Sequence, residues 1–187
     1  MAQAASTSNT ASALLADYAQ IRRCSEALAA PLSAEDQNLQ SMPDASPTKW
    51  HLAHTTWFFE AVVLAKFAPT YRPFDPGYAY LFNSYYEGLG PRHPRSQRGM
   101  LSRPPLEDIV EYRLHVDEAM ARLIEERASE VAVLTTLGLH HEQQHQELIL
   151  TDILHAFAIN PLLPAYTPAR LHEMQAPAPV YRPAAGD

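Results

Sequence analysis

Apolar side chains recur at helical spacing in four long stretches of this chain. These stretches cover about residues 12–30, 46–66, 104–128 and 130–158. The second stretch opens on Ser46-Pro47, and a serine followed by proline is typical of a helix start. Strand patterns are weak throughout the sequence. We therefore predict an all-α fold in which residues 1–160 form a four-helix bundle.

Two segments fall outside the helical pattern. Residues 67–103 are rich in arginine and tyrosine and show no regular period. Connections of this length inside a compact domain are usually functional, so we expect a long connection between the second and third helices, placed over one end of the bundle. Residues 161–187 are rich in proline, which removes backbone donors and blocks helix formation. We expect them to form an extended tail or linker.

Composition narrows the class of protein and its compartment. The formal net charge of -7 argues against a nucleic-acid-binding surface, which needs a basic stripe. Cys24 is the only cysteine, so no internal disulfide can form, which fits a reducing compartment. The first nine residues lack the features of a signal peptide, and no apolar run has the length of a membrane span. We expect a cytoplasmic protein with neither a nucleic acid nor a membrane as partner.

Two histidines in the fourth stretch carry the clearest chemical signal. His141 and His145 stand four residues apart, and on a helix this spacing turns by about 40° and rises by about 6 Å, so both rings leave one face and can bind one metal ion. We assign the third ligand to His54, which shares the apolar stripe of the second helix, with His51 as the fallback. Imidazole suits zinc, iron, copper and nickel, so the pair alone does not name the ion.

The same segment also permits another interpretation. The string H-E-x-x-H, with Glu142 as the base, is also the signature of zinc proteases. The extended protease form is absent, because Leu148 and Thr151 stand where glycine and a third histidine are required. Asp152 and His155 share the histidine face but lie too far along the helix for the same ion, so we interpret them as polar pairs of the core.

Three segments together resemble a known family. They are residues 46–60 (SPTKWHLAHTTWFFE), 81–103 (LFNSYYEGLGPRHPRSQRGMLSR) and 138–155 (GLHHEQQHQELILTDILH). The chain resembles the N-terminal domain of the ergothioneine-biosynthesis sulfoxide synthases, or hercynine oxygenases, which belong to the wider DinB-like bundle superfamily. The combination of segments is specific, whereas H-E-x-x-H alone is not.

The resemblance implies a non-haem Fe(II) bound by His54, His141 and His145, although zinc or nickel could occupy the purified protein. In the family the iron activates O2 and couples the sulfur of cysteine or γ-glutamylcysteine to C2 of the imidazole of Nα-trimethylhistidine (hercynine), leaving a sulfoxide. The arginines of the P-R-x-x-R motif bind substrate carboxylates, and this motif matches Arg95 and Arg98. A further family residue lies near the substrate imidazole and matches Gln144.

The family's full-length enzymes also have a C-terminal domain that resembles formylglycine-generating enzymes and supplies a catalytic tyrosine. This chain stops at Asp187, within the proline-rich segment, so no catalytic residue is assigned in it. We expect the chain alone to bind metal without turnover. One alternative is a stand-alone DinB-like transferase in which zinc or nickel activates a small thiol. Another is a non-catalytic bundle whose metal only stabilises the fold.

Overall fold

The computed structural model describes residues 2–84, 88 and 90–167, with side chains from Thr10 onward. Within these residues the protein contains helices and loops and no strand, which confirms the all-α prediction. The α-helices are α1 (Ala2–Ala29), α2 (Thr48–Phe58), α3 (Ala65–Phe67), α4 (Tyr78–Leu81) and α5 (Leu106–Ile159). A π-helical segment (Phe59–Leu64) joins α2 to α3, and short 3-10 helices cover Asp36–Asn38 and Arg95–Met100.

Helix α5, of 54 residues, contains the predicted third and fourth helices, which meet at non-helical backbone angles at Arg127. This break lies within three residues of the boundary that the sequence predicts between residues 128 and 130. A straight helix would separate Arg113 from Glu142 by about 43 Å, yet Arg113 Nη2 lies 3.1 Å from Glu142 Oε1. The helix therefore folds back on itself at Arg127. Its first arm (residues 106–126) and its second arm (residues 128–159) lie side by side.

Helix α2 and its π-helical continuation pack into the centre of the molecule. Every residue of α2 is buried. The helix begins at Thr48, directly after the predicted Ser46-Pro47 start. A π-helical turn is rare and occurs frequently at functional sites. Here it begins at Phe59, about one turn beyond His54, and Phe58 and Phe59 face the second arm of α5.

Gly138 permits the close approach of these two helices. A Cβ atom at this position would lie 2.5 Å from Cε1 of Phe59 and 2.8 Å from Cε1 of Phe58. Alanine is normally the better helix former, by roughly 0.5–1 kcal/mol. We nevertheless expect Gly138→Ala to lower the free energy of unfolding by about 1–3 kcal/mol, because the added methyl group overpacks the interface. Urea denaturation measures this change. Thr136→Ala, at an exposed position of the same helix, is the control, and a Gly138→Ala protein more stable than wild type would contradict the packing.

The long connection between α2 and α5 is mostly irregular, as the sequence predicts. Its described part contains α4 and the Arg95–Met100 helix. It is held against α2 by the buried Lys49, whose Nζ donates to the carbonyl oxygens of Leu101 (2.8 Å) and Pro104 (3.0 Å). This anchoring places the connection beside the histidines of α2.

Only the beginning of the predicted tail falls within the described residues. Helix α5 ends at Ile159, and residues 161–167 follow without helix. The Tyr166 hydroxyl donates to the Leu28 carbonyl oxygen at 2.5 Å, so the chain still contacts α1 at that point. Residues 168–187 lie outside the described part of the chain, and the division at 160/161 stays a prediction. None of the described helices combines the length and apolar character needed to cross a membrane.

Candidate metal centre

Three histidine side chains from two helices converge at the interface of α2 with the second arm of α5. One ring nitrogen from each of His54, His141 and His145 lies within 4.8 Å of the corresponding atoms of the other two. The helical spacing of His141 and His145 turns both rings toward α2. The structure thus brings together the three side chains selected from the sequence. His51, the fallback ligand, is not a member of this cluster.

The ring of His54 is fixed on several sides. Its Nδ1–H donates to the carbonyl oxygen of Phe82 at 2.6 Å. The rings of Trp50 and Trp57 stack against it with centroid distances of 4.5 and 5.5 Å. A hydrogen bond from one ring nitrogen to a backbone carbonyl sets the tautomer and leaves the other nitrogen to bind a metal. His54 therefore presents Nε2 to the cluster.

The distance between two of the donor nitrogens fits a shared metal ion. His54 Nε2 and His141 Nε2 lie 3.1 Å apart. With metal–nitrogen bonds of about 2.1 Å, ligand nitrogens lie about 3.0 Å apart at a right angle and about 3.4 Å apart at a tetrahedral angle. The second nitrogen of His141, Nδ1, is buried and has no hydrogen-bond partner among the described residues. A set of three imidazoles suits divalent iron, zinc or nickel.

Burial keeps all three imidazoles neutral, which is the state that binds a metal. Burial and the neighbouring His141 lower the pKa of His54 well below its usual range. Burial also lowers the pKa of His141 to about 4. For His145, burial and the surrounding histidines again lower the pKa. Desolvation disfavours the charged form of each ring, so the site offers three uncharged nitrogen donors.

The histidine cluster forms part of the wall of a cavity of about 300 Å³. The lining residues are Ser46, Trp50, His51, His54, Ser84, Arg95, Arg98, His141, Gln144, His145 and Leu148. No carboxylate occurs in this set, whereas two arginines do. The cavity therefore combines neutral metal-binding nitrogens with positive charge, which favours an anionic ligand. All three side chains assigned to substrate binding from the sequence, Arg95, Arg98 and Gln144, lie in this wall.

The two arginines are held differently. Arg98 is buried, and its Nη1 and Nη2 donate to the hydroxyl oxygens of Ser46 (2.9 Å) and Ser84 (3.1 Å). Its guanidinium carbon also lies 3.3 Å from the ring centroid of Trp50. Arg95 is exposed and donates to the carbonyl oxygen of Asp44. Arg98 is thus fixed by its surroundings, while Arg95 lies at the solvent side of the cavity.

Sequence comparison assigns the family. Residues 17–155 match the model of the DinB superfamily, which covers all three histidines and most of the chain. The chain belongs to the DinB superfamily. Domains of this superfamily bind metals, in agreement with the histidine cluster. A search of curated proteins found no significant relative of this DinB domain.

The geometry of Glu142 in this DinB domain argues against the protease interpretation. Glu142 is fully buried, and its carboxylate accepts hydrogen bonds from Arg22 (2.9 Å), Arg113 (3.1 Å) and Ser25 (2.7 Å). Burial raises the pKa of this carboxyl, but the two guanidinium groups outweigh burial and lower the pKa to about 2. Glu142 does not line the cavity of the histidines. It ties the arms of α5 to α1 and is not placed to act as a base beside a metal.

Two further polar residues of α5 in the DinB domain, Asp152 and His155, have different environments. Asp152 accepts a hydrogen bond from His51, with Oδ2 3.0 Å from Nε2, as the expected polar pairing requires. His155 is exposed instead of buried, and its Nδ1 lies 2.7 Å from Ser41 Oγ. The same expectation is therefore wrong for His155, because the end of α5 turns this side of the helix toward solvent.

Proposed function

We propose that this DinB domain is the metal-binding part of a non-haem Fe(II), O2-dependent enzyme of ergothioneine biosynthesis. The proposed reaction joins the sulfur of cysteine or γ-glutamylcysteine to the imidazole C2 of Nα-trimethylhistidine. The observation that carries the proposal is the cluster of three neutral histidines in the wall of a cavity that contains two arginines. The resemblance of residues 46–60, 81–103 and 138–155 to the sulfoxide synthases names the substrates.

The reaction balances with O2 as the oxidant. The S–H bond of the thiol and the C2–H bond of the imidazole break, and a C–S bond forms. One oxygen atom enters the sulfoxide and the other leaves as water, so O2 accepts four electrons. Bound iron would supply the activation of O2. The histidines of this chain would hold the metal, and the other residues of the cavity wall would position the substrates.

The charges around the cavity match the proposed substrates. Cysteine, γ-glutamylcysteine and Nα-trimethylhistidine all carry a carboxylate, and guanidinium groups bind carboxylates in a bidentate manner. Two serine hydroxyls fix the position of the Arg98 guanidinium, which is charged at neutral pH like every arginine side chain. Arg95 lies at the exposed edge, where its guanidinium can meet an incoming carboxylate. Gln144, also at an exposed position, offers an amide to the substrate imidazole.

The catalytic groups for proton transfer are expected to come from a partner domain. No described residue of this chain is assigned a catalytic role in proton transfer. We propose that a C-terminal domain similar to formylglycine-generating enzymes supplies that role and completes the substrate pocket. The lone chain then binds Fe(II) and substrates but does not turn over.

Arg95 provides a test of substrate binding at an exposed position. We expect Arg95→Gln to weaken binding of γ-glutamylcysteine to the Fe(II)-loaded protein by about 10- to 100-fold, since a hydrogen bond to a charged group contributes about 1.5–3 kcal/mol. Calorimetric titration without oxygen measures the affinity. Arg122→Gln removes the same charge from an exposed position outside the cavity and serves as the control. Equal affinities for the two variants would remove Arg95 from the substrate site.

The reaction itself is tested by adding Fe(II) to the metal-free chain under anaerobic conditions, followed by thiol, Nα-trimethylhistidine and air. We expect O2 uptake that depends on Nα-trimethylhistidine and that requires a domain similar to formylglycine-generating enzymes. Thiol transfer by the lone chain with zinc, independent of O2, would overturn the proposal. That result would instead establish a stand-alone metal-dependent thiol transferase.

A further inference from the structure

A hydrogen-bonded chain of three side chains leads away from one of the proposed metal ligands. His145 Nδ1 lies 2.8 Å from His51 Nδ1, and His51 Nε2 lies 3.0 Å from Asp152 Oδ2. The same carboxylate oxygen accepts the backbone N–H of Ser46 at 2.8 Å. His51 is almost fully buried, with 2% of its surface exposed. This hydrogen-bonded chain therefore connects the residues just before α2 to two positions of α5 that lie about two turns apart.

The hydrogen bonds from His145 through His51 to Asp152 can have only one set of donors and acceptors when both imidazole rings are neutral. An ionised carboxylate accepts hydrogen bonds and donates none, so His51 carries its proton on Nε2 and donates to Asp152. The Nδ1 atom of a neutral His51 is then an acceptor. His145 must supply the proton between the two Nδ1 atoms, and its own Nε2 is left with a free lone pair.

This order has a direct consequence for the metal centre. A ligand histidine whose second nitrogen donates a hydrogen bond is held in one tautomer and one ring orientation. His54 is held in this way by the Phe82 carbonyl oxygen. For His145 the acceptor is another histidine, which is itself oriented by a carboxylate. Both ring nitrogens of His51 take part in these hydrogen bonds. His51 therefore lies beside the cluster of candidate metal ligands and does not belong to it.

We propose that His51 and Asp152 are positioning residues that hold His145 as a metal ligand through its Nε2 atom. This inference rests on the proposed metal centre and deepens it. The His51 ring transmits the orientation of Asp152 to His145, and the Ser46 N–H fixes the carboxylate. Neither His51 nor Asp152 contacts the metal or the substrate in this role.

The test compares the Co(II) affinities of variants of the full polypeptide after metal has been removed. Competition with a coloured chelator measures each affinity. His51→Phe keeps a ring of similar size and removes both nitrogens. We expect it to weaken Co(II) binding by about 10- to 100-fold, the usual loss when an outer partner of a metal-binding histidine is removed. Asp152→Ala is expected to lower the affinity in the same direction. The control is His155→Phe, which replaces an exposed histidine of α5, the helix that carries His145 and Asp152. This variant should bind Co(II) with wild-type affinity.

Two further measurements distinguish positioning from general support of the fold. His51→Gln offers an amide that can accept from His145 and donate to Asp152, and it should recover part of the affinity lost in His51→Phe. Nitrogen-15 NMR of the zinc-loaded wild type should show His145 protonated on Nδ1 and bound through Nε2, with the Nδ1–H signal lost from its hydrogen-bonded position in His51→Phe. Circular dichroism and thermal unfolding of the metal-free variants report the fold separately.

The outcomes separate this inference from the proposed function. Wild-type affinity in His51→Phe, or zinc bound to Nδ1 of His145, would overturn the positioning role while leaving the metal centre intact. A loss in His51→Phe that His51→Gln does not recover, together with a lowered melting temperature without metal, would assign His51 to the fold alone. Failure of the wild-type protein to bind Co(II) would overturn the metal centre and this inference with it.

Discussion

His54→Asn is expected to weaken divalent metal binding by more than about 100-fold, because the loss of a ligand exceeds the 10- to 100-fold effect typical of its outer partners. Asparagine can still place an N–H group near the Phe82 carbonyl oxygen, which accepts from Nδ1 of His54 at 2.6 Å. It cannot reach the position of Nε2, which lies 3.1 Å from Nε2 of His141. The variant therefore removes the metal-binding atom and keeps the local hydrogen bond. Titration of the metal-free protein with Co(II) against a competing chelator measures the change.

The matched control for this substitution is His155→Asn, which changes an exposed histidine that lies outside the cluster. It should bind Co(II) with wild-type affinity and a stoichiometry of about one ion per chain, the value expected for a single three-histidine site. If His54→Asn also bound Co(II) like the wild type, the third ligand would have to come from another side chain. His51 would then be the first candidate, and the geometry described above would be wrong.

Glu142→Ala is expected to lower the free energy of unfolding by about 3–5 kcal/mol, which is a large part of the stability of an ordinary domain. The substitution leaves the buried guanidinium groups of Arg22 and Arg113 without the carboxylate that each contacts at 2.9–3.1 Å. Arg22 keeps Asp117 at 2.7 Å and Arg113 keeps the exposed Glu26 at 3.6 Å, but both buried guanidinium groups lose their shared and most buried partner. Buried charge with less compensation is costly because it has lost its hydration. Urea denaturation of the metal-free protein, followed by circular dichroism, gives the value.

Glu147→Ala is the matched control, since it removes an exposed carboxylate from the same helix and should change stability by less than about 0.5 kcal/mol. The comparison also tests the protease interpretation of the H-E-x-x-H segment. A Glu142→Ala protein with wild-type stability and a lost metal-dependent hydrolytic activity would show that this carboxylate acts at the metal. Lost stability without any such activity in the wild type agrees with a structural role.

The sequence predicted the elements of this site because they depend on local spacing. His141 and His145 share a helix face by periodicity alone, and His54 follows from the apolar stripe around Trp50 and Trp57. Arg98 was found through resemblance to a family motif. The structure places all of these residues around one cavity, so the information needed to assemble the candidate site was present in the chain.

Other features depended on contacts between distant segments, which spacing does not reveal. The role of Glu142 is set by Arg22 and Arg113, and nothing near Glu142 in the sequence names these partners. A signal was present in Arg22, which lies four residues after Tyr18 on the buried side of α1. The reversal of α5 at Arg127 contains neither glycine nor proline, so only the helical pattern, which changes between residues 128 and 130, indicates where it lies. His51 was considered only as a ligand, because its neighbours Asp152 and His145 become visible in three dimensions.

The most direct test of the metal centre is the crystal structure of the protein loaded with Fe(II) under anaerobic conditions. We predict one ion bound to the ring nitrogens of His54, His141 and His145, at metal–nitrogen distances of about 2.0–2.2 Å. We also predict that His51 stays hydrogen-bonded between His145 and Asp152. An ion bound elsewhere, or three rings that turn apart when iron is present, would contradict the account.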